Sequence, residues 1–286
     1  MSTRNGRAQV ARETLELLEA GSYQSPRGGI VDISEALNQA IGESRLYAPH
    51  QFLDVFSRRD EILGNGHEHN PVRFVVVNST TLAAARRLVE NEGRSNVLCL
   101  NFASAKNPGG GFQSGSQAQE ESLARASGLY SCLTPHAAYY ETNKRYRSCL
   151  YTDHMIHSPG VPVFRDDEDR LLEKPWHASI LTVPAVNAGA VRKNEPVNIP
   201  RIQEVMLRRI EKLLSVAVIH HRRTLVLGAW GCGVFQNDPE SVASWFHFHL
   251  VENETFRGAF ETVVFAVLDH SKDLQTIAPF RKRFRN

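Results

Sequence analysis

The chain has 286 residues, 42% hydrophobic and 22% charged, and its 33 basic and 31 acidic side chains leave a net charge of +2. These proportions exclude a disordered or collagen-like chain and leave room for one large or two small domains, while the near-neutral charge argues neither for nor against a polyanionic partner. No apolar run approaches the ~18–20 residues of a membrane helix, and Arg4, Arg7, Arg12, Glu13 and Glu16 break up the first thirty residues in a way no signal peptide shows, so a cytoplasmic protein with no membrane partner is expected.

In chain order, the first seventy residues read as helical. Leu15, Leu17 and Leu18 punctuate one segment, and a second begins at Ser34 with Ala36, Leu37 and Ala40 at helical spacing. Gly64-Asn65-Gly66 and Asn70-Pro71 mark a break. Beyond it the texture changes. Short β-branched or apolar runs at 73–77, 96–102, 180–183, 224–227 and 262–268 alternate with helical stretches at 81–92, 202–220 and 240–252. Continuous apolar strands alternating with helices predict an α/β layer with a sheet covered on both faces. In such sheets ligands sit beyond the strand ends, in the connecting loops.

The loop after the second run, from Asn101 to Glu121, reads NFASAKNPGGGFQSGSQAQEE. Gly109, Gly110 and Gly111 let backbone N–H groups approach a ligand, and a run of such amides forms an anion-binding concavity. Ser116 and Gln119 have the spacing of a capping box. Leu123, Ala126, Tyr130 and Leu133 then repeat at three and four residues, which predicts one amphipathic helix. Glu120 and Glu121 fall in its first turn. They complement the helix dipole, which is explanation enough on an isolated helix. Beside a glycine-rich loop they also suggest proton chemistry. Neighbouring carboxylates raise each other's pKa while a helix N-terminus lowers both, and the sequence leaves that balance open. A carboxyl that gives and retakes a proton is what glycosidic cleavage requires.

A second glycine loop, GAWGCGVF from Gly228 to Phe235, follows the run at 224–227. Gly231 and Gly233 offer close backbone approach, but the spacing is neither a dinucleotide fingerprint nor a phosphate-binding loop ending in Gly-Lys-Ser/Thr. Phe235 reads either as core packing or as a ring stacked on a sugar or base. Cys232 has no neighbouring base to activate it, so its amide is the part that matters. The four cysteines, Cys99, Cys132, Cys149 and Cys232, contain no paired motif and read as reduced thiols. His67-Glu68-His69 and His154-x-x-His157 lack further ligands at zinc spacing, so no metal site is expected. Asp166 to Asp169 reads as a solvated loop, Asn187 to Ala190 as lining the same face as the glycine loops, and the basic end from Arg281 as a solvated tail, so direct nucleic-acid binding is not expected.

Gly109-Gly110-Gly111 followed after seven residues by Gln119-Glu120-Glu121 resembles the signature of the poly(ADP-ribose) glycohydrolases. The stretches NPGGGFQSGSQAQEESLARASGLYSCL, SPGVPVFRD from Ser158 and GAWGCGVF are similar to the bacterial type of that family, over nearly the whole chain. The resemblance implies a macrodomain-like three-layer α/β/α fold with a mixed sheet. It implies a helical amino-terminal extension, residues 1–70, packed on a catalytic domain, residues 71–286. It implies hydrolysis of the ribose–ribose O-glycosidic bond, with Glu121 as acid/base and Glu120 holding the reacting ribose. The glycine triplet and the loop Gly231, Cys232, Gly233, Val234 and Phe235 would hold the diphosphate, with Phe235 against the terminal ribose. Gln119 belongs to the signature, and Asn107 is an expected ribose contact. Asn78 to Thr80 are candidates for the adenine. The implied partners are poly(ADP-ribose), ADP-ribose and poly(ADP-ribosyl)ated proteins, and the implied chemistry uses no cofactor. Three rivals stand beside it: a macrodomain that binds ADP-ribose without cutting it, a hydrolase of another ADP-ribose linkage, and a nucleotide-binding regulatory protein.

Overall fold

The computed structural model describes residues 3–64 and 71–285. Along them run α1 (Arg4–Ala20), β1 (Ser22–Gln24), β2 (Ile30–Asp32), α2 (Ser34–Glu43), β3 (Arg45–Tyr47), α3 (Phe52–Gly64), β4 (Arg73–Val77), α4 (Thr81–Arg86), β5 (Val97–Phe102), α5 (Gln119–Ala126), α6 (Leu129–Leu133) and α7 (Ala137–Arg145). They continue with β6 (Met155–Arg165), β7 (Leu171–Val183), α8 (Ala188–Asn194), α9 (Arg201–Ile219), β8 (Thr224–Leu227), α10 (Pro239–His247), β9 (Thr262–Ala266) and α11 (Ala278–Arg283). The expected break at Gly64-Asn65-Gly66 and the pair His67 and His69 fall mostly on 65–70, outside the described residues.

Seven strands form one mixed sheet in the order β3-β6-β7-β5-β8-β9-β4, and β1 and β2 pair separately. From β7 to β4 all neighbours are parallel, whereas β6 runs antiparallel to β7 and β3 to β6. The two-residue period of a strand sets the layers. Leu98, Leu100, Leu225, Leu227, Val263 and Phe265 enter one core with Leu213 and Leu214 of α9 and Phe246 of α10. Their neighbours Val97, Cys99, Val226 and Val264 enter the opposite core with Leu123, Leu129, Leu133 and Tyr139. The result is the expected three-layer α/β/α arrangement.

The expected strands at 73–77 and 224–227 form with those bounds. The hairpin of β6 and β7 is far longer than the single run at 180–183 implied. Pro159, Gly160 and Pro162 hid β6; the ladder tolerates them because the register shifts between Ser158 and Val161. The first seventy residues are not helical throughout, since β1, β2 and β3 interrupt them, and β3 pairs Tyr47 with Met155 at the sheet edge. The single helix expected from Gln119 to Leu133 is broken. Ser127 leaves it to bridge Val163, and the Gly128 N–H donates to Pro162 O at 2.9 Å. The basic end is not a free tail, because α11 docks there and Arg283 pairs with Glu240 at 2.7 Å.

Where β6 meets the end of α9, His157 and His220 stack with ring centroids 3.7 Å apart. His157 is fully buried, and neither ring nitrogen has a partner among the described residues. Burial, then the neighbouring His220 and Arg222, push its pKa down to about 2. The folded protein therefore favours the neutral ring, so stability is full above the ordinary histidine pKa and falls as pH drops from there towards the folded value. Such a group contributes at most about 1.4 kcal/mol per pH unit. His157→Leu is expected to flatten the pH dependence of urea unfolding between about pH 6 and 4 by nearly one proton. An unchanged slope would show that this histidine does not set acid sensitivity.

Candidate active site

β5, β7 and β8 are adjacent and parallel, so the loops after Phe102, Val183 and Leu227 leave one edge of the sheet side by side. The first carries the glycine triplet and returns into α5. Ser116 does not cap that helix; Ala118 stands at its N-cap without a side-chain bond. Gln119 fixes the start instead. Its Oε1 accepts from the Phe102 N–H at 2.8 Å, and its Nε2 donates to Leu100 O at 2.7 Å and Thr81 Oγ1 at 3.1 Å. Its polar atoms are thus used on the protein, which makes Gln119 the tie between β5 and α5.

That tie places Glu120 and Glu121 in unlike surroundings. Glu120 is 3% exposed; its Oε2 accepts from the Ser104 N–H at 2.6 Å and its Oε1 from Asn101 Nδ2 at 3.2 Å. Burial outweighs those bonds and the Gly109 N–H, and with the nearby Glu121 it lifts the Glu120 pKa to about 8. Burial thus favours the protonated form of Glu120. Burial, not the helix terminus, settles the balance that the sequence left open. Glu121 is half-buried, and its Oε1 accepts from the Gly111 N–H at 2.9 Å.

The triplet serves this pair directly. Gly110 has φ +61°, and a Cβ on it would lie 2.9 Å from Glu121 Cδ and 3.2 Å from Glu120 Oε2, so only glycine lets the backbone pass over both carboxyls. The amides expected to face a diphosphate are engaged within the protein: Gly109 towards Glu120, Gly110 to Asn107 O at 3.0 Å, and Gly111 to Glu121. Asn107 itself is exposed at the loop's outer bend.

The second loop differs. The Cys232 N–H donates to Ala229 O at 3.1 Å, but among the described residues the amides of Gly231, Gly233, Val234 and Phe235 have no backbone acceptor. Val234 is 82% exposed. Phe235 is half-buried and lies 5.9 Å from the ring of Tyr151. Burial pushes the Cys232 thiol up to about 12, so it stays protonated and is no nucleophile. Among the described residues no three His, Cys, Asp or Glu side chains group as a metal site would need.

Sequence reasoning missed the supports beneath these residues. Asn101 and Ser104 hold Glu120. Tyr151, at φ +56°, backs Phe235. The fully buried Arg209 donates to Leu150 O at 3.0 Å, Tyr151 O at 3.1 Å and Pro184 O at 2.9 Å, and pairs with Asp153 at 2.9 Å. Burial would raise the Asp153 pKa, but Arg209, Lys212 and Arg208 hold it near 2. The one signal for Asn101 is a polar residue closing an apolar strand. Asn187, expected on this face, caps α8 through Ala190 N, and the Gly189 N–H donates to Phe235 O at 3.0 Å. The adenine candidates are less available: Asn78 pairs with the Asp269 backbone, and Thr80 caps α4 while donating to Asp167.

The family described as "Microbial-type PARG, catalytic domain" matches residues 11–166, which include the triplet and both glutamates. Among solved structures, the poly(ADP-ribose) glycohydrolase of Thermomonospora curvata superposes with TM-score 0.91 at 46% identity, covering 98% of this chain and all of that one. The same enzyme bound to the inhibitor ADP-HPD gives 0.88 at 45% identity over 98% of this chain and all of that one. The Deinococcus radiodurans enzyme in complex with ADP-ribose gives 0.81 at 45% identity, covering 87% of this chain and 97% of that one. No curated protein matches the chain significantly.

Proposed function

This chain belongs to the microbial-type poly(ADP-ribose) glycohydrolase family, and from that premise we propose that Glu121 is the acid/base with which it cuts the ribose–ribose O-glycosidic bonds of poly(ADP-ribose). The protein is a glycosidase that releases ADP-ribose. The observation supporting Glu121 is the contrast within the pair: one carboxyl is buried with both oxygens held by protein N–H groups, the other is half-exposed and fixed through one oxygen. Glu121 protonates the departing 2′-oxygen, and the carboxylate it leaves then activates water. Glu120, buried beside it, holds the reacting ribose. The diphosphate lies over the unengaged amides of Gly231, Gly233, Val234 and Phe235, and Phe235 presses on the terminal ribose.

In this reading residues 1–70 form an extension that packs on the catalytic part, residues 71–286, and lends its sheet the edge strand β3, and the protein works in the cytoplasm, where unpaired cysteines persist. Its partners are poly(ADP-ribose) and the proteins that carry it. Incubation with purified poly(ADP-ribose) tests the activity directly. Free ADP-ribose is the expected product, whereas binding without release would favour the non-hydrolytic macrodomain.

Phe235 gives a sharper test. A ring that orients the anomeric carbon against Glu121 supplies part of the barrier by positioning alone. Phe235→Ala is expected to lower turnover more than it weakens ADP-ribose binding. A core phenylalanine would behave differently, its truncation costing about 3–5 kcal/mol of stability. A large fall in melting temperature with near-normal turnover in the folded fraction would remove Phe235 from the site.

A further inference from the structure

Helix α1 touches both halves of the acid/base constellation. Arg4 Nε donates to Ser114 O at 3.0 Å and Arg7 Nε to Gly115 O at 2.9 Å. Both carbonyls lie in the turn that follows the glycine triplet. Gly115 has φ +75°, and a Cβ there would run into the Arg4 backbone, 3.0 Å from its carbonyl carbon, so helix and loop are in main-chain contact. One turn further along, Ala11 and Leu15 pack on Phe112 of the loop and on Ala124 of α5. Thr14, fully buried, donates its hydroxyl to Arg125 O at 2.8 Å, near the carboxyl end of α5.

The loop carries this restraint to Glu121. Gly111 O accepts from the Ser114 N–H at 3.1 Å and the Ser116 N–H at 3.2 Å, which closes the turn. The N–H of the same Gly111 holds Glu121 Oε1. The apolar contacts of α1 account for its docking by themselves. They do not account for two guanidinium groups spent on loop carbonyls, where water would serve equally well. At the exposed Arg4 and the half-buried Arg7 such bonds add little net stability, so their effect is on where the loop sits.

We propose that α1 is a clamp on the acid/base loop, with Arg4 and Arg7 as positioning residues that set the Glu121 carboxyl through the Gly111–Gly115 turn, and Thr14 as one that fixes the far end of α5, the helix that carries Glu121. The proposal rests on the reading of Glu121 given above. It predicts that the amino-terminal helix governs turnover and not substrate capture, because the bonds and packing that α1 makes here fall on the first loop and on α5, not on the free amides of the second loop.

Steady-state kinetics on poly(ADP-ribose) test this in the full chain, beside calorimetric affinity for ADP-ribose and a melting curve. The double variant Arg4→Ala/Arg7→Ala is expected to lower kcat about tenfold, well within what a misplacement of about 1 Å costs. KM and ADP-ribose affinity should move less than about threefold, and the melting temperature by only a few degrees. The Arg4→Lys/Arg7→Lys pair should recover most of the lost turnover. Thr14→Val keeps the shape of the buried side chain and should lower kcat in the same direction even if the arginine variants fold poorly. Wild-type kcat in these variants would overturn the proposal, as would a loss that follows only the unfolded fraction. If the wild-type chain released no ADP-ribose, the reading of Glu121 would fail instead.

Discussion

Glu121→Gln is expected to lower turnover on poly(ADP-ribose) by at least about 10²-fold, the lower range for removing a general acid/base. Glutamine keeps the size of the side chain and can still accept from the Gly111 N–H, so the loop has no reason to move. What it loses is the ability to give a proton to the leaving oxygen and take one back. Affinity for ADP-ribose should change little. That dissociation separates proton transfer from binding, and wild-type hydrolysis by the variant would show the acid/base to be elsewhere.

The parallel substitution Glu120→Gln separates the two carboxyls. Burial lifts the Glu120 pKa to about 8, which favours its protonated form. A neutral amide therefore imitates its charge state. The Ser104 N–H and Asn101 Nδ2 both donate to it, and the glutamine Nε2 replaces one acceptor with a donor. Its effect comes from orientation of the ribose, through a mismatched hydrogen bond, and not from a lost proton.

How far the sequence carried the reading depended on whether local pattern or distant packing decided each feature. β4, β8 and α9 are continuous apolar or periodic segments whose partners only confirm them, and they were legible. The loop of Asn101 to Glu121 stood out in the sequence because glycine clusters are rare outside close approaches. What its glycines approach was not legible. Two of their amides, those of Gly109 and Gly111, meet Glu120 and Glu121, ten or more residues on, and only the docking of Gln119 on β5 brings those side chains back over the loop. β6 was hidden by Pro159 and Pro162, which a bulge accommodates. Asn101 lay within the loop that drew attention, but nothing local tells a strand-ending asparagine from the buried partner of a carboxyl. Tyr151 and Arg209 were invisible for the same reason: 58 residues apart in sequence, they meet only in the fold.

That geometry also changes what a substitution at Gly110 should do. A valine there would be read from sequence alone as a side chain thrust into a phosphate site, weakening binding. In the structure the added Cβ meets the two carboxyls, and φ of +61° strains any branched residue. Gly110→Val is therefore expected to displace the Glu121 carboxyl by about 1 Å and lower kcat by about 10²-fold or more. Residual ADP-ribose binding should persist through the second loop. Stability should fall by only about 1–3 kcal/mol, the cost of a strained backbone at a single half-buried turn. Gly233→Ala is the complement. Nothing lies within 4 Å of a Cβ on Gly233, so the free protein should be as stable as before. A ligand resting on the amides around it would meet that methyl, and affinity should fall while the Glu121 carboxyl stays in place. Calorimetry and single-turnover kinetics on the two variants should give opposite patterns. If Gly110→Val lost binding and kept its rate of bond cleavage, the triplet would be the diphosphate cradle after all, and the carboxyls would owe their position to something else.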